Sequence, residues 1–168
     1  MGTPAAAALL LAGFVLAHAA WSVSDLPQGE LLVPLAIVER GGTRELMRFE
    51  AATQEEAIKQ GKAKMAGLTG TVDAWAFARE GLITEGGRKI DALTVDFWAK
   101  GMEESASLMQ RYEPFAARGR FRVIGQPDII IKGVMQEPHA AEQPVSQVRA
   151  GISQHPKAAS LWDAWKSE

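Results

Sequence analysis

Two short stretches hold the side chains best placed to do chemistry: Trp75, Phe77, Arg79 and Glu80 in one, Arg111 and Tyr112 in the other. Residues 71–79 alternate strictly. Val72, Ala74, Ala76 and Ala78 point one way, and Asp73, Trp75, Phe77 and Arg79 the other. The alanine face is small enough for a helix to lie close against it, which leaves Trp75 and Phe77 on the opposite face. In an antiparallel pairing with residues 89–98, Leu93, Val95 and Phe97 share that second face. A sheet apolar on both faces needs a second cover: another element, a subunit or a ligand. Left open, such an aromatic patch is a binding surface. The competing expectation is that the C-terminal segment, with Trp162 and Trp165, covers it. Arg111 and Tyr112 fall at the end of an expected helix. There they either clamp an anionic or planar ligand or cap carbonyls and pack on the sheet.

The remaining polar groups give no defined reaction. Asp73, Glu80, Asp91 and Asp96 lie on or beside the central hairpin. Asp73 and Asp91 on one face would suit acid–base work, or would serve as edge charges that discourage aggregation. His18, His139 and His155 have no helical ligand spacing, so no metal site is expected. No serine sits in a Gly-x-Ser-x-Gly context. Gly41, Gly42, Gly86 and Gly87 are turn glycines, not a phosphate loop opening a helix. The absence of cysteine removes disulfides, thiol catalysis and Cys-based zinc sites. A net charge of −2 with both signs mixed argues against nucleic acid, which needs a basic surface. No cofactor is implied.

The elements that must position these groups begin with an unusual segment. The first 24 residues contain no Asp, Glu, Lys or Arg. As a helix from Thr3 to about Trp21, with Pro4 at the first helical position, the segment sets Leu10, Leu11, Phe14, Val15 and His18 on one stripe. Leu11, Phe14 and Val15 are then buried, and His18 is a lone polar group in need of a hydrogen-bond partner. As a secretory signal, the segment ends in Ala17-His18-Ala19 and is cleaved near Ala19 and Ala20. The missing Lys or Arg before the apolar run speaks against that. The segment is too Ala-rich for a stable membrane span. A cytoplasmic protein that keeps the helix is the first expectation, and an exported one lacking it the alternative.

Downstream, residues 31–38 read as a strand that lies at an edge or starts after Pro34. A hairpin turn at 39–42 leads into a strand over 43–49. Thr53 and Glu56 form a capping box for a helix through about Met65, with Ala57, Ile58, Gly61 and Met65 inward. A hairpin loop at 80–88 precedes the strand at 89–98, and residues 102–112 read as a short helix. Residues 121–131 read as a last hairpin turning at Gly125-Gln-Pro-Asp128. Residues 136–157 read as a polar loop, and 156–166 as a terminal helix with Leu161, Trp162 and Trp165 inward.

The sum is an α+β fold: a mainly antiparallel sheet of successive hairpins, with the N-terminal helix and two inserted helices on one face. It occupies residues 1–135 as a single domain, followed by a Pro-containing tail at 136–168. The functional expectation is a non-enzymatic module that binds a protein partner or a second copy of itself through the aromatic sheet face. The alternative is a small-molecule-binding or enzymatic domain using residues 75–80 with Arg111 and Tyr112.

Overall fold

The computed structural model describes residues 4–27, 29–135 and 142–166. Its centre is a seven-stranded sheet in the order β2-β1-β3-β4-β5-β6-β7, antiparallel throughout. The strands are β1 (Leu35–Arg40), β2 (Thr43–Arg48), β3 (Ala74–Glu85), β4 (Arg88–Ala99), β5 (Ala106–Glu113), β6 (Arg122–Ile131) and β7 (Val134–Met135). The helices are α1 (Pro4–Val23), α2 (Gln54–Leu68), α3 (Phe115–Arg118), α4 (Glu142–Ser153) and α5 (Trp162–Lys166). The fold is therefore α+β, as the hairpin order implied.

Local chemistry explains the turns. Gly41 and Gly42 both have positive φ, as do Gly86 and Gly87. Each pair closes a two-residue hairpin whose twist matches its strands. Pro34 precedes β1, and its carbonyl accepts the Phe49 N–H. The expected cap is in place: Thr53 is extended and its Oγ1 accepts from the Glu56 N–H at 3.1 Å.

The two faces of the sheet carry different helices. Ala74, Ala76 and Ala78, with Val95, Phe97 and Leu108, form one face, on which α1 lies. Helix α4 packs on α1, and α5 brings Trp162 and Trp165 to the same layer. Gly13 and Gly151 make the α1–α4 contact possible. A Cβ at Gly13 would meet the Val148 carbonyl, and one at Gly151 the Leu10 carbonyl. On the other face α2 is the helix, among the described residues, that covers Ala36, Val38, Trp75, Phe77 and Trp98, with Met65 and Val72 between. Gly61 lets the helix approach, since a Cβ there would meet the Phe77 ring.

Several expectations change. Helices occupy both faces, not one, and Val72 packs with Trp75 and Phe77 instead of with the alanines. Residues 106–113 are strand β5, where a helix was expected. Ala106, Leu108, Gln110 and Tyr112 are all buried and alternate with less buried neighbours. That is a strand's period of two, imposed by pairing with β4 and β6 over a helix-compatible composition. The turn expected at 125–128 is absent, because β6 runs through it. Its register with β5 shifts between Met109 and Arg111, and Gly125 takes a positive φ there. The hairpin closes instead at Lys132 and Gly133, both at positive φ. Residues 142–153, read as polar loop, form α4 and bury Val145, Val148 and Ile152. Of α1, Leu11 and Val15 are buried but Phe14 is only partly so, and Leu161 is exposed. Thr3, Pro138 and His139 lie outside the described residues.

Candidate functional site

Trp75 and Phe77 do lie opposite the alanine face, but they are not open. Trp75 is 5% exposed and Phe77 0%. The cover is α2, and neither Trp162 nor Trp165 takes part: both belong to the other face. The expected neighbours are also replaced. Trp75 pairs with Trp98 and Phe77 with Asp96, whereas Leu93, Val95 and Phe97 share the alanine face. The Gly86–Gly87 turn dictates this register, because Glu85 opposite Arg88 sets every pair below it.

Helix α2 covers only part of its face. Seven strands span roughly 29 Å, and a helix with its side chains about 10 Å. Beside α2 a half-open cleft of about 570 Å³ remains. Lys62, Met65, Ala66 and Thr69 form its helical wall. The floor is formed by Trp75, Phe77 and Trp98, with Arg79, Asp96 and Ser107. The far wall is the β4–β5 connection, with Glu103, Glu104 and Ser105, and the β6–β7 turn at Lys132.

Each floor group is held by a specific bond. Arg79 Nη1 donates to Asp96 Oδ2 at 2.6 Å, and the guanidinium lies 5.8 Å from the centre of the Phe77 ring. The Trp75 indole N–H donates to Thr69 Oγ1 at 2.9 Å, which ties β3 to the end of α2. The Trp98 indole N–H donates to the Met102 carbonyl at 3.0 Å, which fixes the start of the β4–β5 connection. Lys132 Nζ reaches Glu103 at 3.3 Å across the far wall, with both side chains well exposed.

The sequence-predicted residues thus divide. Trp75, Phe77 and Arg79 come together in the cleft, and Glu80, Arg111 and Tyr112 do not join them. Glu80 and Tyr112 face the α1 layer, where Tyr112 Oη donates to Glu80 Oε2 at 2.7 Å. The Leu32 N–H donates to the other carboxylate oxygen, so Glu80 ties the connection before β1 to β5. Burial, with the Glu80 charge, drives the Tyr112 phenol far above its ordinary value. It also raises the nearby Asp91 carboxyl, with Glu80 again the second cause. Asp73 is not beside Asp91. It accepts the Gly41 N–H at 2.7 Å at the opposite end of the hairpin.

Arg111 is a strand residue on the α2 side, not a helix-end clamp. It is held by Glu85 and by Asp128, the latter at 2.8 Å. These charges satisfy one another and leave Arg111 little capacity for a ligand.

Trp98 and Ser107 are cleft residues that sequence reasoning missed, and Asp96, noted only among the hairpin carboxylates, joins them there. The signal for Trp98 and Asp96 was present in the two-residue glycine turn. Ser107 was hidden because β5 read as a helix. Among the described residues, no group of three His, Asp or Glu side chains is disposed to hold a metal ion. Comparison with family models, curated proteins and solved structures finds no match to this chain.

Proposed function

We propose that this chain is a non-enzymatic binding domain that takes a small, partly apolar organic molecule in the cleft beside α2. The observation that carries this reading is the cleft floor, where the Arg79–Asp96 pair and Trp98 line one space of about 570 Å³. That volume falls in the range of ligand sites, and tryptophan edges with a few fixed polar groups are the usual lining of one. Binding is favoured over catalysis by the chemistry of the lining. Among the described residues no histidine lines the cleft beside Ser105 and Ser107 to act as base, and Asp96 is committed to Arg79.

A protein-observed NMR titration with a library of aromatic and heteroaromatic fragments tests the reading. Ser107→Trp fills the cleft from its floor. Fragments should perturb the Trp98 indole resonance and lose at least tenfold in affinity for Ser107→Trp at unchanged melting temperature. Fragments that bind both proteins equally, or that leave Trp98 unmoved, would overturn it.

The protein-partner reading keeps one observation in its favour. The side chains of Val134 and Met135 on β7 are exposed, at 61% and 53%, and an exposed apolar patch is a place for a partner to pack. A concentration-dependent dimer in sedimentation, abolished by Val134→Lys, would support that reading.

A further inference from the structure

The imidazoles of His18 and His155 meet between α1 and the α4–α5 connection, with His18 Nδ1 and His155 Nε2 3.0 Å apart. The proton positions follow from the neighbours. His155 Nδ1 accepts from the Ala158 N–H at 3.0 Å and the Lys157 N–H at 3.2 Å, so it carries no proton. The His155 proton therefore sits on Nε2 and is donated to His18 Nδ1. The His18 proton is left on Nε2, which is buried and has no partner among the described residues. Both rings must be neutral for this arrangement to exist. A proton added to His155 Nδ1 would face two N–H donors, and one added to His18 Nδ1 would face the N–H of His155.

The surroundings offer no relief to a charged ring. Phe14 and Trp21 stack around His155 at 5.1 and 6.1 Å between ring centres. The charged groups on this side come from β1 and β2. Arg48 acts on His18 electrostatically, and Arg44 lies 4.8 Å over the Phe14 ring, with Glu39 as its ion-pair partner. From the α4–α5 connection the contacts are backbone amides. No carboxylate is paired with either ring among the described residues.

We propose that the His18–His155 pair is an acid-sensitive latch that fastens α4 and α5 to α1, and that protonation of either ring releases the C-terminal segment from the domain. Among the described residues neither imidazole hydrogen-bonds to the sheet or to α2, and both of these stay folded. Release uncovers the stripe of α1 that packs on Val148 and Ile152, and it frees Trp162 and Trp165. The direction of the titrations agrees. Burial, then the Arg48 charge, lowers the His18 value. Burial, then His18, takes His155 down to about 4. Between 6.5 and about 4 the opening equilibrium then rises by no more than about tenfold per pH unit for each ring that takes up a proton.

The test is residue-resolved hydrogen exchange on the whole chain at pH 7 and pH 4.5, corrected for the intrinsic pH dependence of exchange. Protection over residues 145–165 should fall by tenfold or more on acidification while that of β3, β4 and β5 holds. His155→Asn keeps an acceptor for the Ala158 amide but cannot titrate, and it should flatten the response. A uniform loss across the sheet, or an unchanged response in His155→Asn, would overturn the latch. A proton NMR titration of the three histidines in the unmutated chain is independent of how any variant folds. Two rings should titrate below 6.5, and three ordinary titrations would equally overturn it.

Discussion

At the scale of single residues, burial decides what each side chain can do. Trp75 was the residue most open to opposite readings, as binding platform or as core. Its indole is enclosed by α2 and fixed to Thr69. Trp75→Asp should therefore unfold the domain, because a buried carboxylate without a partner cannot be accommodated. Circular dichroism checks this, and a folded variant would show that the α2 face opens readily. Tyr112→Phe is a milder case. It removes the donor to Glu80 and should cost about 1–3 kcal/mol in chemical denaturation. The Gly61→Ala change tests steric fit alone. Its new methyl meets the Phe77 ring, and overpacking of this kind costs about 1–3 kcal/mol. Trp75, Phe77 and Arg79 were legible as a set because strand alternation is local. Asp96, Trp98 and Ser107 were not, because they join the set only through pairing.

At the scale of elements, the clearest signals were those carried by local hydrogen bonding and by turns. The Thr53 cap is one. Thr53→Ala should cost about 0.5–2 kcal/mol, seen as a lower denaturation midpoint with an unchanged slope. No change would mean that water satisfies the Glu56 amide equally well. The α1–α4 pair is the contrasting case. Nothing in either helix alone announces that Gly13 and Gly151 are where two backbones touch. Gly151→Val should separate the helices, and loss of helix packing should appear as increased exchange of α4 amides ahead of the sheet. Strand β5 failed as a sequence reading for a related reason. Its composition tolerates a helix, and the unpaired edges of β4 and β6 decided otherwise.

At the scale of the whole molecule, α1 joins the parts. It lies against the sheet and carries α4 on its other side, and it buries Leu11, Val15 and Leu16. Each such side chain contributes roughly 1.5–3 kcal/mol. The helix is also long and apolar enough to cross a membrane, although most of it is buried inside the protein. Removing residues 1–23 should abolish cooperative unfolding. A truncated protein that melted as the full chain does would favour a cleaved leader. Stability should also depend on pH. His18 and His155 have folded values below the unfolded value of 6.5. The unfolded chain then binds more protons, so stability is full above about 6.5 and is lost as pH falls toward 4. Asp91, raised from 3.8, acts in the opposite sense at the acid end of that window. Denaturation midpoints at pH 7.5, 6 and 5 should decline in that order.

By itself the sequence determined the α+β class, the hairpin turns, the α2 cap and the opposition of Trp75 and Phe77 to the alanine face. All of these depend on residues a few positions apart, or on a period that a single strand displays. Only the tertiary structure decided which element covers each face, which carboxylates meet which cations, and that His18 and His155, 137 positions apart, share one hydrogen bond. These facts follow from pairing register and helix packing, where the energy lies between distant segments and a shift of one residue turns every side chain to the other face.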